Sequence, residues 1–277
     1  MASKPKKING GDIPPFFVKG TKMTNKDILN IALKQSAIDT GCEPEDFLKS
    51  ENVIVHSHKH PDARKYLDLP HYADLCSYGH NIVASVMPEV EGVISKYINK
   101  YTYYHCFETP NMNALQKALE PMGLGACFMA EYFLPDIDVL KPLDCGYELR
   151  VLTPDDFATL YKPEWSNALC EKRSHLDVLG VGAYFNGELI GLAGCSADGL
   201  DMWQIGIDVL PEYRKQGIAS SLVSHLACEI IMRGKVPFYC CAWSNIPSAR
   251  TAIKAGFKPA WVHLTVKPQE VIDKMNA

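Results

Sequence analysis

Long apolar runs are missing from this chain of 277 residues. No stretch approaches the roughly 18–20 consecutive apolar residues that a membrane-spanning helix requires, so we expect no membrane partner. The N-terminal segment holds lysines, Gly10-Gly11 and Pro14-Pro15 where a signal peptide would have its apolar core. We therefore expect a cytoplasmic protein.

A large charge of one sign is missing too, because the formal net charge is −4 at pH 7. Nucleic-acid-binding proteins usually present a basic surface, so we expect no nucleic-acid partner. The ten cysteines include no C-x-x-C pair of the kind found in zinc and redox sites. Most of them lie inside apolar runs, as small buried residues do, which favours free thiols, a reducing compartment and no metal site.

What is present is the composition of a globular protein, with 47% hydrophobic and 22% charged residues. Residues 1–22 show no periodicity and are predicted to be a disordered leader, which makes Met23 a candidate first residue. Residues 23–140 alternate strands and helices, which predicts an α/β domain. The segment from Pro135 to Asp144 is rich in proline and aspartate and is the predicted boundary before a second domain, residues 145–277.

The second domain carries a clear order of predicted elements. A strand over residues 147–152 and a short helix lead into a hairpin, whose turn is Asn186-Gly187 between two apolar runs. A strand over residues 202–210 and a helix over 220–232 follow. The remaining predicted elements are a strand over 236–243, a helix over 246–255 and a strand over 261–267.

The loop Arg214-Lys215-Gln216-Gly217-Ile218-Ala219 joins the predicted strand to the helix after it. Such a turn exposes unpaired backbone N–H groups at the positive end of a helix, where a phosphate or pyrophosphate can bind. Small residues at Gly217 and Ala219 allow a ligand to approach the backbone closely. Without further context, an ordinary tight turn between a strand and a helix explains the loop equally well.

Two motifs in the second domain add that context. The first is Pro211-Glu212-Tyr213-Arg214-x-x-Gly217-x-Ala219, and the second is Asn245-x-x-Ser248 together with Gly256-Phe257. In these motifs and in the spacing between them, residues 147–267 resemble the GNAT family of N-acetyltransferases. The resemblance implies the acyl-CoA N-acyltransferase fold, a mixed and mostly antiparallel sheet flanked by helices. It also implies transfer of an acetyl group from acetyl-CoA to an amine of a small molecule or peptide, by direct attack in a ternary complex.

The resemblance also implies how coenzyme A binds. Backbone amides of the loop would hold the pyrophosphate, the strand before it would bind the pantetheine through main-chain groups, and Asn245 would bond the pantetheine. Lys254 and Arg250 are candidates for the adenosine phosphate. The implied cofactor-binding residues are Ile207, Val209, Arg214, Lys215, Gln216, Gly217, Ile218, Ala219, Ser220, Asn245 and Ser248.

The catalytic groups are harder to assign, because Ala252 stands where the family often has a tyrosine that protonates the departing thiolate. Ser244, Tyr239 and Cys240 are nearby candidates for that proton. For the general base, the family commonly uses a carboxylate on the strand before the loop at the position of Trp203, and the resemblance therefore makes Asp201, one step back on the same face, the candidate, with a solvated turn aspartate as the alternative. Glu164 lies where the family binds its acceptor. The departure at Ala252 leaves an alternative open, a non-catalytic module that senses acyl-CoA.

The first domain repeats part of this pattern. Strands are predicted over residues 52–55, 82–86, 103–107 and 126–133, with two helices among them, an order similar to that of the second domain. The segment Val86–Gly92 has acidic residues that would repel a pyrophosphate. Our hypothesis is that the first domain is a degenerate copy of the fold. It would either form one wall of the acceptor site or mediate formation of a homodimer.

Overall fold

The computed structural model describes residues 6–7, 17–18 and 21–277, and the following bounds refer to them. The strands are β1 Lys6–Lys7, β2 Phe17–Val18, β3 Thr21–Lys22, β4 Val53–His56, β5 Ala73–Ser77, β6 Val83–Val86, β7 Leu124–Pro135, β8 Glu148–Leu152, β9 Asp177–Phe185, β10 Glu188–Ser196, β11 Met202–Val209, β12 Val236–Ala242 and β13 Phe257–Pro268. The helices are α1 Asn25–Thr40, α2 Pro88–Ile98, α3 Thr109–Leu119, α4 Pro154–Phe157, α5 Ile218–Met232, α6 Ile246–Lys254 and α7 Gln269–Asn276.

The contacts divide the chain into two compact units that interleave along the sequence. The first unit comprises Met1–Ile31, Phe133–Cys241 and Asn245–Lys258, and the second comprises Ala32–Tyr132, Ala242–Ser244 and Pro259–Ala277. The predicted domain boundary between residues 140 and 145 therefore stays a prediction.

The first unit is built on strands in the order β1, β8, β9, β10, β11, β12. Neighbours from β8 to β11 run antiparallel, whereas β11 and β12 run parallel. The hairpin between β9 and β10 turns at Asn186 and Gly187, whose φ angles of 50° and 88° suit a tight hairpin turn. The predicted mixed and mostly antiparallel sheet flanked by helices is confirmed.

Helix α5 forms the core of the first unit, where it packs on β9, β10 and β11. Most of its residues are buried, including Leu222, Val223, Leu226 and Ile230. A helix that is apolar on nearly all sides is stable only when it is covered on most of them. The same burial fixes the N-terminus of α5 at the end of the loop after β11.

The second unit contains strands in the order β7, β13, β5, β6, β4. β5 runs antiparallel to both β13 and β6, and β4 runs parallel to β6. Helices α2 and α3 cover one apolar cluster, to which Val90, Ile94 and Leu115 contribute fully buried side chains. The apolar faces of these two helices thus contribute to the core of the second unit.

One prediction for the second unit was wrong, and two of its elements were missed. Tyr103–Phe107 is a 3₁₀ turn and not a strand, because Tyr97 donates its hydroxyl proton to the Cys106 carbonyl at 2.6 Å and the chain curls toward α2. Strand β5 was missed, since its sequence Ala-Asp-Leu-Cys-Ser does not alternate, yet all five residues are buried. Helix α7 was also missed. The element order on which the degenerate copy was based is therefore not the observed one.

The predicted leader lies outside the described residues, except for β1, β2 and the two residues of β3. β1 pairs antiparallel with β8, at Lys6 opposite Val151. Within the described ranges, no helix combines the length and apolarity needed to cross a bilayer. All ten cysteines are free thiols, and the described residues contain no cluster of three metal-ligating side chains.

Candidate active site

Strands β11 and β12 are paired only along the first half of β11. Their parallel ladder starts with Met202 opposite Val236 and ends with Ile205 opposite Tyr239. β11 continues to Val209 as the neighbour of β10, but it is no longer paired with β12. Beyond Ile205 the main chain of β11 thus has an edge that is not paired with β12 and that ends at the Val209 carbonyl bonded by Arg214, and an extended ligand can bind to this edge as an added strand.

The loop after β11 brings a helix N-terminus to the end of that edge. Lys215 and Gly217 both adopt left-handed backbone conformations, with φ angles of 63° and 85°. Gly217 is the residue before the first turn of α5, and no side chain caps this helix. The first-turn amides have no partner within the helix and carry partial positive charge, so the loop can hold an anion.

Side chains around the loop hold it in place. The Tyr147 hydroxyl donates to Gln216 Oε1 at 2.7 Å, and Arg214 Nε donates to the Val209 carbonyl at 2.9 Å. Lys254 Nζ lies 3.7 Å from the point that a Cβ atom would occupy at Gly217. The space beside Gly217 is thus open and faces an ammonium group, which suits a phosphate.

Helix α6 is joined to strand β12 by a pair of hydroxyl groups. Asn245 Oδ1 accepts a hydrogen bond from the Ser248 amide and caps the helix, and Ser248 Oγ lies 2.7 Å from the Tyr239 hydroxyl. Burial raises the pKa of Tyr239 to about 12, so the phenol keeps its proton at neutral pH. Ala252, where the family often has tyrosine, is fully buried one turn after Ser248.

The three predicted catalytic residues all lie at exposed positions. Asp201 precedes β11, at the strand end opposite the loop, and pairs with Lys235 at 2.9 Å on the surface. A strand of this length spans about 25 Å, so Asp201 is far from the helix N-terminus. Glu164 is exposed in a 3₁₀ turn, and Ser244 is an exposed residue of the second unit.

Sequence reasoning missed a carboxylate on the other face of β11. Asp208 accepts hydrogen bonds from the Asn167 and Ala168 amides at 2.8 and 2.9 Å, and thereby fastens the segment before β9 to the strand. A Cβ atom at Gly206 would lie 1.8 Å from the Asn167 carbonyl oxygen, so only glycine admits this segment. The sequence feature that could have indicated this contact is Gly206, a small residue two positions before Asp208 on the same strand.

Comparison with known proteins gives one family. A model described as GNAT acetyltransferase matches residues 61–261. No curated protein matches the chain.

Several solved structures are similar to part of this chain. An acetyltransferase of the GNAT family from Novosphingobium aromaticivorans is 20% identical over 52% of this chain and 66% of that chain, with a TM-score of 0.39. A GNAT acetyltransferase from Colwellia psychrerythraea is 15% identical over 73% and 84% of the respective chains, with a TM-score of 0.43. A tandem GNAT protein from the clavulanic acid biosynthesis pathway is 17% identical over 58% and 59%, with a TM-score of 0.40.

Proposed function

Since the chain belongs to the GNAT acetyltransferase family, we propose that it moves the acetyl group of acetyl-CoA to an amine of a small molecule or peptide. Both substrates are bound together, and the amine nitrogen attacks the thioester carbon directly. A C–N bond forms, the C–S bond breaks, and coenzyme A leaves as a thiolate. The parting of β11 from β12 above the N-terminus of α5 is the observation that carries this proposal.

The pyrophosphate of the cofactor fits the helix N-terminus. In this proposal the backbone amides from Gln216 to Ser220 donate to its oxygens, as the resemblance implies. The left-handed conformation of Gly217 and the open space beside it support close approach of the backbone to the phosphates. Lys254 adds a positive charge at the same place. Phosphate binding at such a site draws on both hydrogen bonds and the helix dipole.

The pantetheine arm lies along the edge of β11 that is not paired with β12 in this proposal. Its amide groups pair with main-chain atoms of residues 206–209, as an added strand would. Asn245 uses its side-chain oxygen to cap α6, which leaves its NH₂ group to donate to a pantetheine carbonyl. Ile207 and Val209 supply the strand positions that were predicted for this role.

In this proposal Tyr239 is the proton donor, a role that the family often gives to a tyrosine at the position of Ala252. Its hydroxyl belongs to the last residue of the paired ladder, where the two strands separate, and it lies 2.7 Å from Ser248 Oγ on α6. We infer that the Tyr239–Ser248 pair donates a hydrogen bond to the thiolate as the C–S bond breaks. A phenol with a raised pKa holds its proton and so acts as a donor and not as a base. The proton lost by the amine passes to water.

One assay decides between this proposal and an acyl-CoA sensor. Release of coenzyme A thiol is followed with acetyl-CoA and a panel of amines, while calorimetry measures acetyl-CoA binding. The proposal expects binding together with amine-dependent thiol release. Binding without release on any amine would identify the sensor, an alternative that Ala252 favours. The absence of binding would contradict both.

A further inference from the structure

An aromatic cavity lies entirely within the second unit. Its volume is about 270 Å³. The aromatic side chains that line it are Tyr78, Tyr103, Tyr104, Phe107, Trp243 and Trp261. Binding pockets for drug-sized ligands usually run from about 300 Å³ upward, so this cavity suits a compact ligand.

The rings of the cavity hold each other in place. Phe107 and Trp243 stack with their centroids 6.3 Å apart, and Tyr78 and Trp261 stack at 5.3 Å. The Tyr103 and Tyr104 rings meet edge to face at 5.2 Å. Because neighbouring rings restrict each side chain, their faces are set before a ligand arrives, and little conformational entropy is lost on binding.

Two of these rings remain exposed without a ligand. Tyr104 keeps 53% of its accessible surface and Trp243 keeps 42%. Single exposed apolar side chains need no explanation, but exposed rings grouped around one cavity are typical of a binding surface. The ligand is therefore expected to cover aromatic faces.

Glu131 gives the cavity its charge. It lies on β7, is half-buried, and has no hydrogen-bond or ion-pair partner among the described residues. Burial raises the pKa of this carboxyl group. A carboxylate that loses water without gaining a partner is destabilised, and a bound cation would remove that penalty. The residues lining the cavity include no lysine or arginine that could already do so.

We propose that the aromatic cavity binds a compact organic ammonium ion, with its charge toward Glu131 and its alkyl groups against the rings of Tyr104 and Trp243. Aromatic faces attract such cations through the ring quadrupole, most strongly for tryptophan. A neutral aromatic ligand would cover the rings but leave Glu131 without a counter-charge. An anion would be repelled by it.

The test separates charge from shape with two probes of nearly equal size. Choline and its neutral isostere 3,3-dimethylbutan-1-ol are titrated into the full chain without acetyl-CoA, by calorimetry and tryptophan fluorescence. We expect choline to bind with one-to-one stoichiometry and at least tenfold more tightly than the alcohol. Because neither transfer nor acetyl-CoA is involved, the outcome is independent of the proposed function.

Variants make the assignment specific. Glu131→Gln should weaken choline at least tenfold and leave the alcohol unchanged, whereas Glu89→Gln on the exposed surface of α2 should change neither. Trp243→Leu, at an exposed position where folding is not at risk, should weaken choline as well. Equal binding of the two probes, no binding of choline at tens of millimolar, or an unchanged preference in Glu131→Gln would overturn the proposal.

Discussion

The imidazole Nδ1 of His263 lies 2.8 Å from Oδ2 of Asp74, and both side chains are buried in the second unit. Burial lowers the pKa of His263, but the Asp74 carboxylate and then the Cys76 thiol raise it more, and the pKa reaches about 10. Burial likewise raises the pKa of Asp74, and the charge of His263 reverses this, so the pKa falls below its usual value. The two residues thus form a buried ion pair at neutral pH.

Removal of one partner should destabilise the protein in a pH-dependent way. A histidine whose folded pKa is raised stabilises the fold fully below about pH 6.5, its unfolded value, and loses that contribution as the pH rises to about 10. We therefore expect Asp74→Asn to lower the free energy of unfolding by roughly 3–5 kcal/mol near pH 6, since breaking a buried pair is costly. The deficit should shrink toward pH 10.

Urea unfolding of both proteins at pH 6, 8 and 10 measures this deficit. The matched control is Glu91→Gln, which breaks the exposed pair between His56 Nε2 and Glu91 Oε2 at 3.0 Å. Exposed pairs contribute about 0–1 kcal/mol, so this variant should unfold almost as the parent protein does at every pH. A deficit in Asp74→Asn that stays constant from pH 6 to 10 would show that the pair is not charged.

Gly217→Ala should weaken acetyl-CoA binding by about 5- to 30-fold. A Cβ atom disfavours the left-handed conformation by roughly 1–2 kcal/mol, so the loop relaxes and must be restored when the ligand binds. Calorimetry measures the affinity. Gly187→Ala is the control, because Gly187 has nearly the same φ angle of 88° in a hairpin turn with open space around it. Equal affinity losses in the two variants would remove the loop from the proposed cofactor site.

Sequence patterns predicted the parts of the fold that depend on interactions between residues close together in the chain. Asn186-Gly187 between two apolar runs predicted the hairpin of β9 and β10. The loop at Gly217 was predicted to bind a phosphate because the motif from Pro211 to Ala219 resembles that of the GNAT family, since a glycine before a helix fits an ordinary tight turn equally well. Each of these features depends on residues within a few positions of one another, which is the range that sequence patterns report.

Features that depend on distant residues could not be predicted. Period-two alternation assigned Asp201 to a face of β11, but it gives no measure of the distance along the strand to the loop. The contact between Tyr239 and Ser248 requires the packing of α6 on the sheet. Glu131 and Trp243 meet in one cavity although more than a hundred residues separate them in the chain. Tertiary packing brings such groups together, and no short pattern records it.

Tyr239→Phe should lower kcat by roughly 10- to 100-fold and leave acetyl-CoA affinity unchanged. A hydrogen bond to a charged group contributes about 1.5–3 kcal/mol, and this one forms only as the thiolate departs. Steady-state kinetics with an accepted amine measures kcat and KM separately. Tyr161→Phe is the control, because it also loses a phenol whose pKa is raised to about 12, here beside Asp177. A similar loss of kcat in both variants would indicate a general effect of destabilisation and would contradict the assignment.

Lys254→Gln should weaken coenzyme A binding about threefold to tenfold at low ionic strength, and much less at high salt. Because Nζ lies beside Gly217, the proposed function makes the pyrophosphate its partner, in place of the adenosine phosphate for which the resemblance made Lys254 a candidate. Dephospho-coenzyme A keeps the pyrophosphate and lacks the adenosine 3′-phosphate. The loss of affinity in Lys254→Gln should therefore be the same for coenzyme A and dephospho-coenzyme A. The control is Lys258→Gln, whose ammonium already pairs with Asp136 at 3.1 Å and should not affect either ligand. A loss seen with coenzyme A alone would move Lys254 to the adenosine end of the cofactor.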